Sequence, residues 1–241
     1  MYRIDLGTVA NSTKENWNSY QLASLGGGGT RKFFFAPDVV SQSAFTAIMV
    51  GSGDREKPLN TTVAGTDGFY TVYDMLLTRG TPATLPTIIA NASLGKVGTT
   101  ETMTAGCYIP MAASEKIVNA PLTVEGLTYF GTNSPRVPDS TACTSNLGQA
   151  KVYSASAFCG VATSSDLEGG GFPPSPVAGI VHVNYTLPDG TTASKDISYV
   201  VGAPNSKKSS IEVSKVTRPE LTSTIRRRLY WFMEGARWVL F

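Results

Sequence analysis

Charged side chains are scarce in this sequence. Asp, Glu, Lys and Arg make up 16% of its 241 residues, and the two signs nearly cancel to a formal net charge of +2. A chain with so weak a field has no general attraction to nucleic acids or anionic membranes. No apolar run approaches the roughly 20 residues of a membrane span, and residues 1–6 lack the basic start and apolar core of a signal peptide. We therefore expect no nucleic acid partner and no membrane span.

Residues suited to catalysis or metal binding are equally few. His182 is the only histidine, and without cysteines or carboxylates at ligand spacing it predicts neither a metal site nor a catalytic triad. The four glycines at 26–29 precede a strand pattern and lack the G-x-x-x-x-G-K-[ST] spacing, so they predict a loop and not a phosphate cradle. The sequence also contains no D-x-[DN]-x-[DN]-G run, the signature of an EF-hand calcium loop.

Short apolar runs separated by turn residues fill most of the chain. Residues 33–74 contain the segments FFFAPDVV, FTAIMVGSGDREKPL and DGFYTVYD. Their apolar runs are separated by Pro-Asp, by GSGDRE and by Asp-Gly, a pattern that predicts an antiparallel module with tight turns. Two more alternating pairs surround Glu125-Gly126 and residues 188–190, and each predicts a hairpin. No segment has a convincing helical period. The sequence therefore predicts an all-β fold.

The spacing of the strand pairs predicts a sandwich or a β-propeller, whose blades take roughly 40–45 residues in common repeats. At that size the chain holds four or five blades, short of a comfortable ring, so it would cover only part of a propeller. Residues 1–6 predict a strand that begins at the first residue and has no neighbouring strands to pair with. We expect the unpaired edge of this strand to promote association between copies of the chain. Residues 76–104 predict a long excursion from this body, and residues 134–147 and 164–176 predict two further loops.

The chain contains three cysteines. Cys143 and Cys159 flank a small loop and a strand, an arrangement that suits a disulfide and an oxidising compartment. Cys107 lies among apolar residues and is expected to be a buried free thiol.

Several blocks of the sequence resemble the C-terminal propeller of the PilY/PilC type IV pilus tip proteins. The blocks, which follow the family's order, are RKFFFAPDV, GSGDREKPL with FYTVYD, EKIVNAPLTVEGLTYFGTNSP, CTSNLGQAKVY and GGGFPPSPVAGI. The resemblance extends over residues 1 to about 228. It departs from the family at Cys107, where an aromatic residue is usual, and over the last ten residues.

The resemblance implies a modified quinoprotein-like β-propeller that is not an enzyme. Such proteins are exported to the pilus tip or the cell surface of Gram-negative bacteria. There they support pilus assembly, oppose retraction, and contribute to adhesion and twitching motility by binding minor pilins and surfaces. They are much longer than this chain, so residues 1–241 would form the C-terminal portion of the propeller. The family's calcium loop precedes a strand similar to MYRIDL and would lie upstream of Met1, so no metal or cofactor is expected within the chain.

The polar turn at 51–56 is the most concentrated group of charges. We interpret Asp54, Arg55 and Glu56 as a structural corner in which Arg55 pairs with a carboxylate. The alternatives are a protein-docking loop or a pair of catalytic carboxylates. Two carboxylates two positions apart in one turn do not establish the defined separation that acid–base chemistry needs.

Two further interpretations stay open. Arg226, Arg227 and Arg228 precede LYWF and predict a final strand, with a basic and aromatic membrane or partner anchor as the alternative. For the whole chain, the alternatives are a generic secreted β-propeller binding module and a quinoprotein dehydrogenase-like enzyme. The sequence does not assemble the aromatic and acidic groups that such an enzyme's cofactor and metal need.

Overall fold

The computed structural model describes residues 1–7, 17–61, 66–76, 85–136, 147–205 and 213–216, with the backbone of two strands at 231–234 and 237–240. These residues form strands and two single turns of 3-10 helix, Gly27–Gly29 and Asn91–Ser93. Within them no helix is long and apolar enough to cross a membrane. The all-β prediction is confirmed.

The strands are short, as expected for a chain rich in turn residues. In chain order they are β1 (Tyr2–Asp5), β2 (Asn18–Gln21), β3 (Ala23–Ser24), β4 (Asp38–Ser41), β5 (Thr46–Gly51), β6 (Gly68–Asp74), β7 (Ile89–Ala90), β8 (Gly95–Lys96), β9 (Gly106–Pro110), β10 (Lys116–Ile117), β11 (Leu122–Val124), β12 (Leu127–Ser134), β13 (Gln149–Ser156), β14 (Ala162–Asp166), β15 (Val177–Thr186), β16 (Thr192–Val201), β17 (Val213–Lys215), β18 (Trp231–Glu234) and β19 (Arg237–Leu240).

The strands form several separate sheets. The first large sheet has the order β4-β5-β6-β9-β8, and the second has the order β10-β12-β13-β14 with β11 also paired to β12. A third sheet has the order β15-β16-β17, and β1–β2, β3–β7 and β18–β19 are two-stranded. All pairs are antiparallel except β3–β7 and β8–β9.

Strand β6 explains how the sheets are layered. All seven of its residues are buried, which requires cover on both faces because successive side chains point in opposite directions. Phe69 and Tyr73 belong to one hydrophobic cluster, shared with the second sheet. Tyr70 and Val72 belong to another, shared with the β2–β3 segment. The first large sheet is therefore an inner layer.

The second large sheet is also packed on both faces. Phe130 of β12 stacks on Phe69 with ring centroids 4.0 Å apart, and Tyr153 of β13 stacks on Phe130 at 4.9 Å. On its other face, Tyr129 packs with Val200 of the third sheet. Successive small sheets thus pack face to face, as neighbouring blades of a propeller do.

The two predicted hairpins are confirmed. Strands β11 and β12 are joined by Glu125 and Gly126, whose φ angles of 50° and 81° both lie in the left-handed region, as a type I′ turn requires. Strands β15 and β16 pair over ten residues each.

Three strand predictions need correction. Strand β1 has a partner, because Tyr2–Asp5 pairs in register with Asn18–Gln21. The run at 33–41 forms a strand only from Asp38 onward, since Pro37 lacks the N–H that a ladder needs. Residues 164–166, expected in a loop, belong to β14 and pair with β13. Arg226–Arg228 lie outside the described residues, and the chain beyond them contains the antiparallel pair β18–β19.

The predicted Cys143–Cys159 disulfide is wrong. Cys159 is bonded to Cys107, with a Cα–Cα distance of 5.6 Å that is normal for a disulfide. Cys107 lies on β9 of the first large sheet, and Cys159 lies in the turn after β13 of the second. The packing of the two sheets brings these positions together, and proximity along the chain does not reveal it. Cys107 is therefore not a free thiol, and Cys143 lies outside the described residues.

The disulfide pairing can be read from tryptic peptides. Trypsin should place the three cysteines on the peptides 97–116, 137–151 and 152–195. Without reduction, mass spectrometry should find 97–116 linked to 152–195. A link between 137–151 and 152–195 would contradict the structure.

The disulfide also predicts a loss of stability on its removal. The C107S/C159S double variant should lose about 4 kcal/mol of unfolding free energy by the chain-entropy relation for a loop of this length. The control variant C143S should keep the linked peptide.

The buried Tyr73 predicts a loss of stability at alkaline pH. Its ring packs on Phe45 at 4.3 Å, and burial raises its pKa to about 12. The folded pKa exceeds that of an unfolded tyrosine, which is about 10. The stability that comes from keeping this hydroxyl neutral is therefore fully present below pH 10 and is lost as the pH rises to 12. Between pH 10 and 12, the free energy of unfolding measured with denaturant should fall by about 2–3 kcal/mol less in the Y73F variant than in the wild type. The exposed Tyr185 offers the control Y185F, which should follow the wild type.

Candidate functional site

The polar turn at 51–56 leaves β5 and lies directly against β10. A Cβ atom added to Gly53 would stand 2.4 Å from the Ile117 carbonyl oxygen, and one added to Gly51 would stand 2.6 Å from the Ile117 side chain. The Ile117 N–H also donates to the Ser52 carbonyl at 3.2 Å. Only glycine allows so close an approach of two backbones. The GSG part of the motif therefore joins the first large sheet to the second.

Ser52 fixes the other side of this turn. It is fully buried, and its Oγ donates to Asp67 Oδ1 at 2.8 Å and accepts the Gly68 N–H at 3.0 Å. Burial raises the pKa of the Asp67 carboxyl, and the bond from Ser52 opposes that shift. The turn before β6 is thereby tied to the turn after β5.

Asp54 and Glu56 share one cation. Lys32 Nζ lies 2.8 Å from Asp54 Oδ2 and 3.7 Å from Glu56 Oε2. The hydrogen bond to Asp54 raises the pKa of Lys32, and the same bond lowers the pKa of Asp54. Two carboxylates bound to the same ammonium group do not face each other across a cleft, so the arrangement does not form a catalytic pair.

Arg55 makes different contacts from those predicted. Its guanidinium carbon lies 5.4 Å from the ring centroid of Phe35 and 5.3 Å from that of Phe172, so it makes two cation–π contacts. The carboxylates of the turn pair with Lys32. The predicted pairing of Arg55 with a carboxylate is therefore wrong, because Phe172 approaches from a distant part of the chain.

Two neighbouring charged residues, Glu115 and Lys116, are buried beside the turn, and sequence reasoning missed them. The Lys116 side chain is buried, and its Nζ donates to the carbonyls of Asn60 and Ser114 at 2.7 and 2.9 Å. Burial lowers the pKa of this ammonium group, and the Asp67 carboxylate acts in the opposite direction. Glu115 is also buried, and its Oε1 accepts hydrogen bonds from Thr132 Oγ1 at 2.6 Å and from Tyr153 OH at 2.9 Å. The available signal was the Glu-Lys pair placed directly before an apolar run.

Four of the five sequence blocks that resemble the pilus tip family meet at this place. Lys32 and Phe35 come from the first block, the GSGDRE turn from the second, Ile117 from the EKIVNAPL block, and Phe172 from the GGGFPPSP block. We call this contact region the motif junction.

The single histidine lies away from the motif junction, on the exposed β15–β16 hairpin. His182 Nδ1 is 2.6 Å from Asp196 Oδ1, and both side chains are largely exposed. In the part of the chain that the structure describes, no group of three or more His, Cys, Asp or Glu is placed to hold a metal ion. The calcium loop expected upstream of Met1 stays a prediction.

The fold is similar to that of a solved structure, the C-terminal domain of Pseudomonas aeruginosa PilY1. The TM-score is 0.45, and 11% of the aligned residues are identical. The match covers 70% of this chain and 43% of the PilY1 chain, so the present chain spans less than half of that structure. No protein-family model and no curated protein matches the sequence. The similarity concerns structure alone.

The close approach at Gly53 predicts a sensitive position. Replacing Gly53 with Ala should cost about 1–3 kcal/mol of unfolding free energy, because the new methyl group forces the turn away from the Ile117 backbone. Gly26 provides the matched control, since its φ is −71° and a Cβ there meets nothing within 4 Å. The G26A variant should change stability by less than about 0.5 kcal/mol. Equal denaturant midpoints for the two variants would show that the close approach does not stabilise the fold.

Proposed function

We propose that this chain is a non-enzymatic portion of a type IV pilus tip-associated protein. The observation that carries the proposal is the motif junction. The blocks that resemble the PilY/PilC family are scattered along the sequence, yet four of the five contact one another in the fold. A resemblance made of unrelated local similarities has no reason to converge in this way.

The proposed role is mechanical and adhesive. Through minor pilins the chain supports pilus assembly and opposes retraction, and at the cell surface it contributes to adhesion and twitching motility. Its proposed location is outside the cytoplasm, at the pilus tip or on the outer surface of a Gram-negative bacterium. The Cys107–Cys159 disulfide supports such a location, because disulfides persist in oxidising compartments.

The third sheet supplies a surface for such contacts. Several large apolar side chains of its first strand are exposed, among them Val177 at 60% and Ile180 at 71%. Exposed apolar groups that gather on one element mark interaction surfaces. The excursion at 76–104 and the segments of 134–176 that flank β13 and β14 are further proposed binding surfaces, since loops on a rigid body often carry recognition.

Binding describes the charged turn better than catalysis does. Asp54 and Glu56 are held by Lys32, and Arg55 is held by two phenyl rings. Neither arrangement presents a general acid opposite a general base. We therefore propose an interaction protein, with a secreted β-propeller module unrelated to pili as the second candidate.

Co-purification with minor pilins tests the proposal. The chain, expressed within its natural full-length protein, should retain at least one minor pilin of the same bacterium on an affinity resin. A secreted β-propeller of similar size from that bacterium serves as the control bait and should retain none. Failure to retain any minor pilin would remove the pilus assignment and leave the generic binding module.

A further inference from the structure

We propose that Arg55 is a recognition site for a carboxylate of a polypeptide partner, an Asp or Glu side chain flanked by aromatic residues. The inference rests on the contacts of Arg55 and does not depend on the pilus-related function.

Arg55 differs from the other arginines whose side chains the structure describes. Arg3, Arg31 and Arg136 each donate an N–H bond to a protein acceptor. Across the described ranges of the chain, the Arg55 guanidinium makes no hydrogen bond and no ion pair, and only its two ring contacts hold it. Five N–H donors are therefore available on an exposed residue.

The two rings make this cation a prepared site. Contacts with Phe35 and Phe172 restrict the side chain without using its N–H groups. A side chain that is already restricted loses less conformational entropy on binding. The planar guanidinium matches a carboxylate with two parallel N–H···O bonds, a geometry that lysine does not provide.

The neighbouring charges favour a carboxylate over a phosphate. Lys32 lies close by but is engaged by Asp54 and Glu56. One available guanidinium beside two carboxylates offers little to a dianion, which needs more than one cation and is repelled more strongly than a monoanion. The charges of Lys32, Arg55, Asp54 and Glu56 sum to zero, so a monoanion disturbs the site less than a dianion does and can be held by the guanidinium N–H groups.

The surroundings of Arg55 favour a polypeptide over a free anion. Phe172, which contacts Arg55, is 44% exposed, and Phe34, whose ring centroid lies 5.9 Å from Lys32 Nζ, is also 44% exposed. Arginine and aromatic residues, phenylalanine among them, are enriched at protein–protein interfaces. A partner that presents a carboxylate between aromatic side chains matches both parts of this surface.

Nuclear magnetic resonance of the arginine Nε–Hε groups tests the site in the full chain. The R55K variant identifies the Arg55 signal by its disappearance. The probes are the tripeptide acetyl-Phe-Glu-Phe-amide, its neutral counterpart acetyl-Phe-Gln-Phe-amide, and inorganic phosphate. We expect the Glu peptide to shift the Arg55 signal and to bind at least about tenfold more tightly than the Gln peptide.

The variants define the contribution of the guanidinium. R55K keeps the charge and should weaken the Glu peptide about tenfold, whereas R136K should leave its affinity unchanged. Equal shifts with the Glu and Gln peptides, tighter binding of phosphate, or an unmoved Arg55 signal would each overturn the proposal. If R55K does not fold, the affinities of the Glu and Gln peptides for the wild-type chain still decide the question, because equal affinities overturn the proposal without any signal assignment.

Discussion

The structure depends on the contact between two backbones. The end of β5 and the turn after it pass so close to Ile117 that no side chain fits at Gly51 or Gly53. This contact sets the spacing between the two large sheets, and the stacked rings of Phe69 and Phe130 fill the space that the spacing leaves. Apolar packing at this density tolerates little displacement, so the turn and the core constrain each other.

Polar groups around the same contact are buried with partners. Lys116 donates to two main-chain carbonyls, and Glu115 accepts from a threonine and a tyrosine hydroxyl. A buried charge without such partners would destabilise the fold by several kcal/mol. The charges at the motif junction thus specify how the two sheets meet. At the surface, the carboxylates of the GSGDRE turn are paired with Lys32, and Arg55 is held by two phenyl rings.

Local features of the fold were predictable from the sequence. The β11–β12 and β15–β16 hairpins have alternating strands and turn residues, and the left-handed Glu125-Gly126 pair is typical of such turns. Strand β9 was not predicted, because its five residues include a glycine, a cysteine and a proline and show no alternation.

Contacts between distant segments were not predictable in the same way. The Cys107–Cys159 bond and the approach of Phe172 to Arg55 both follow from how the sheets stack. Residue type and local spacing carry no information on that stacking. The family resemblance indicated the kind of fold, whereas the partners of each charged side chain in the turn depend on contacts between distant segments.

The disulfide limits how far the chain could be extended by an applied force. It closes a loop of 52 residues that begins in one large sheet and ends after the third strand of the other. A fully extended segment of that length spans roughly 180 Å at about 3.4 Å per residue. Tension along the chain bypasses this segment through a covalent bond, so the loop cannot be drawn out even if the strands within it separate. The core strands of the second sheet are in this way removed from the extensible length of the molecule.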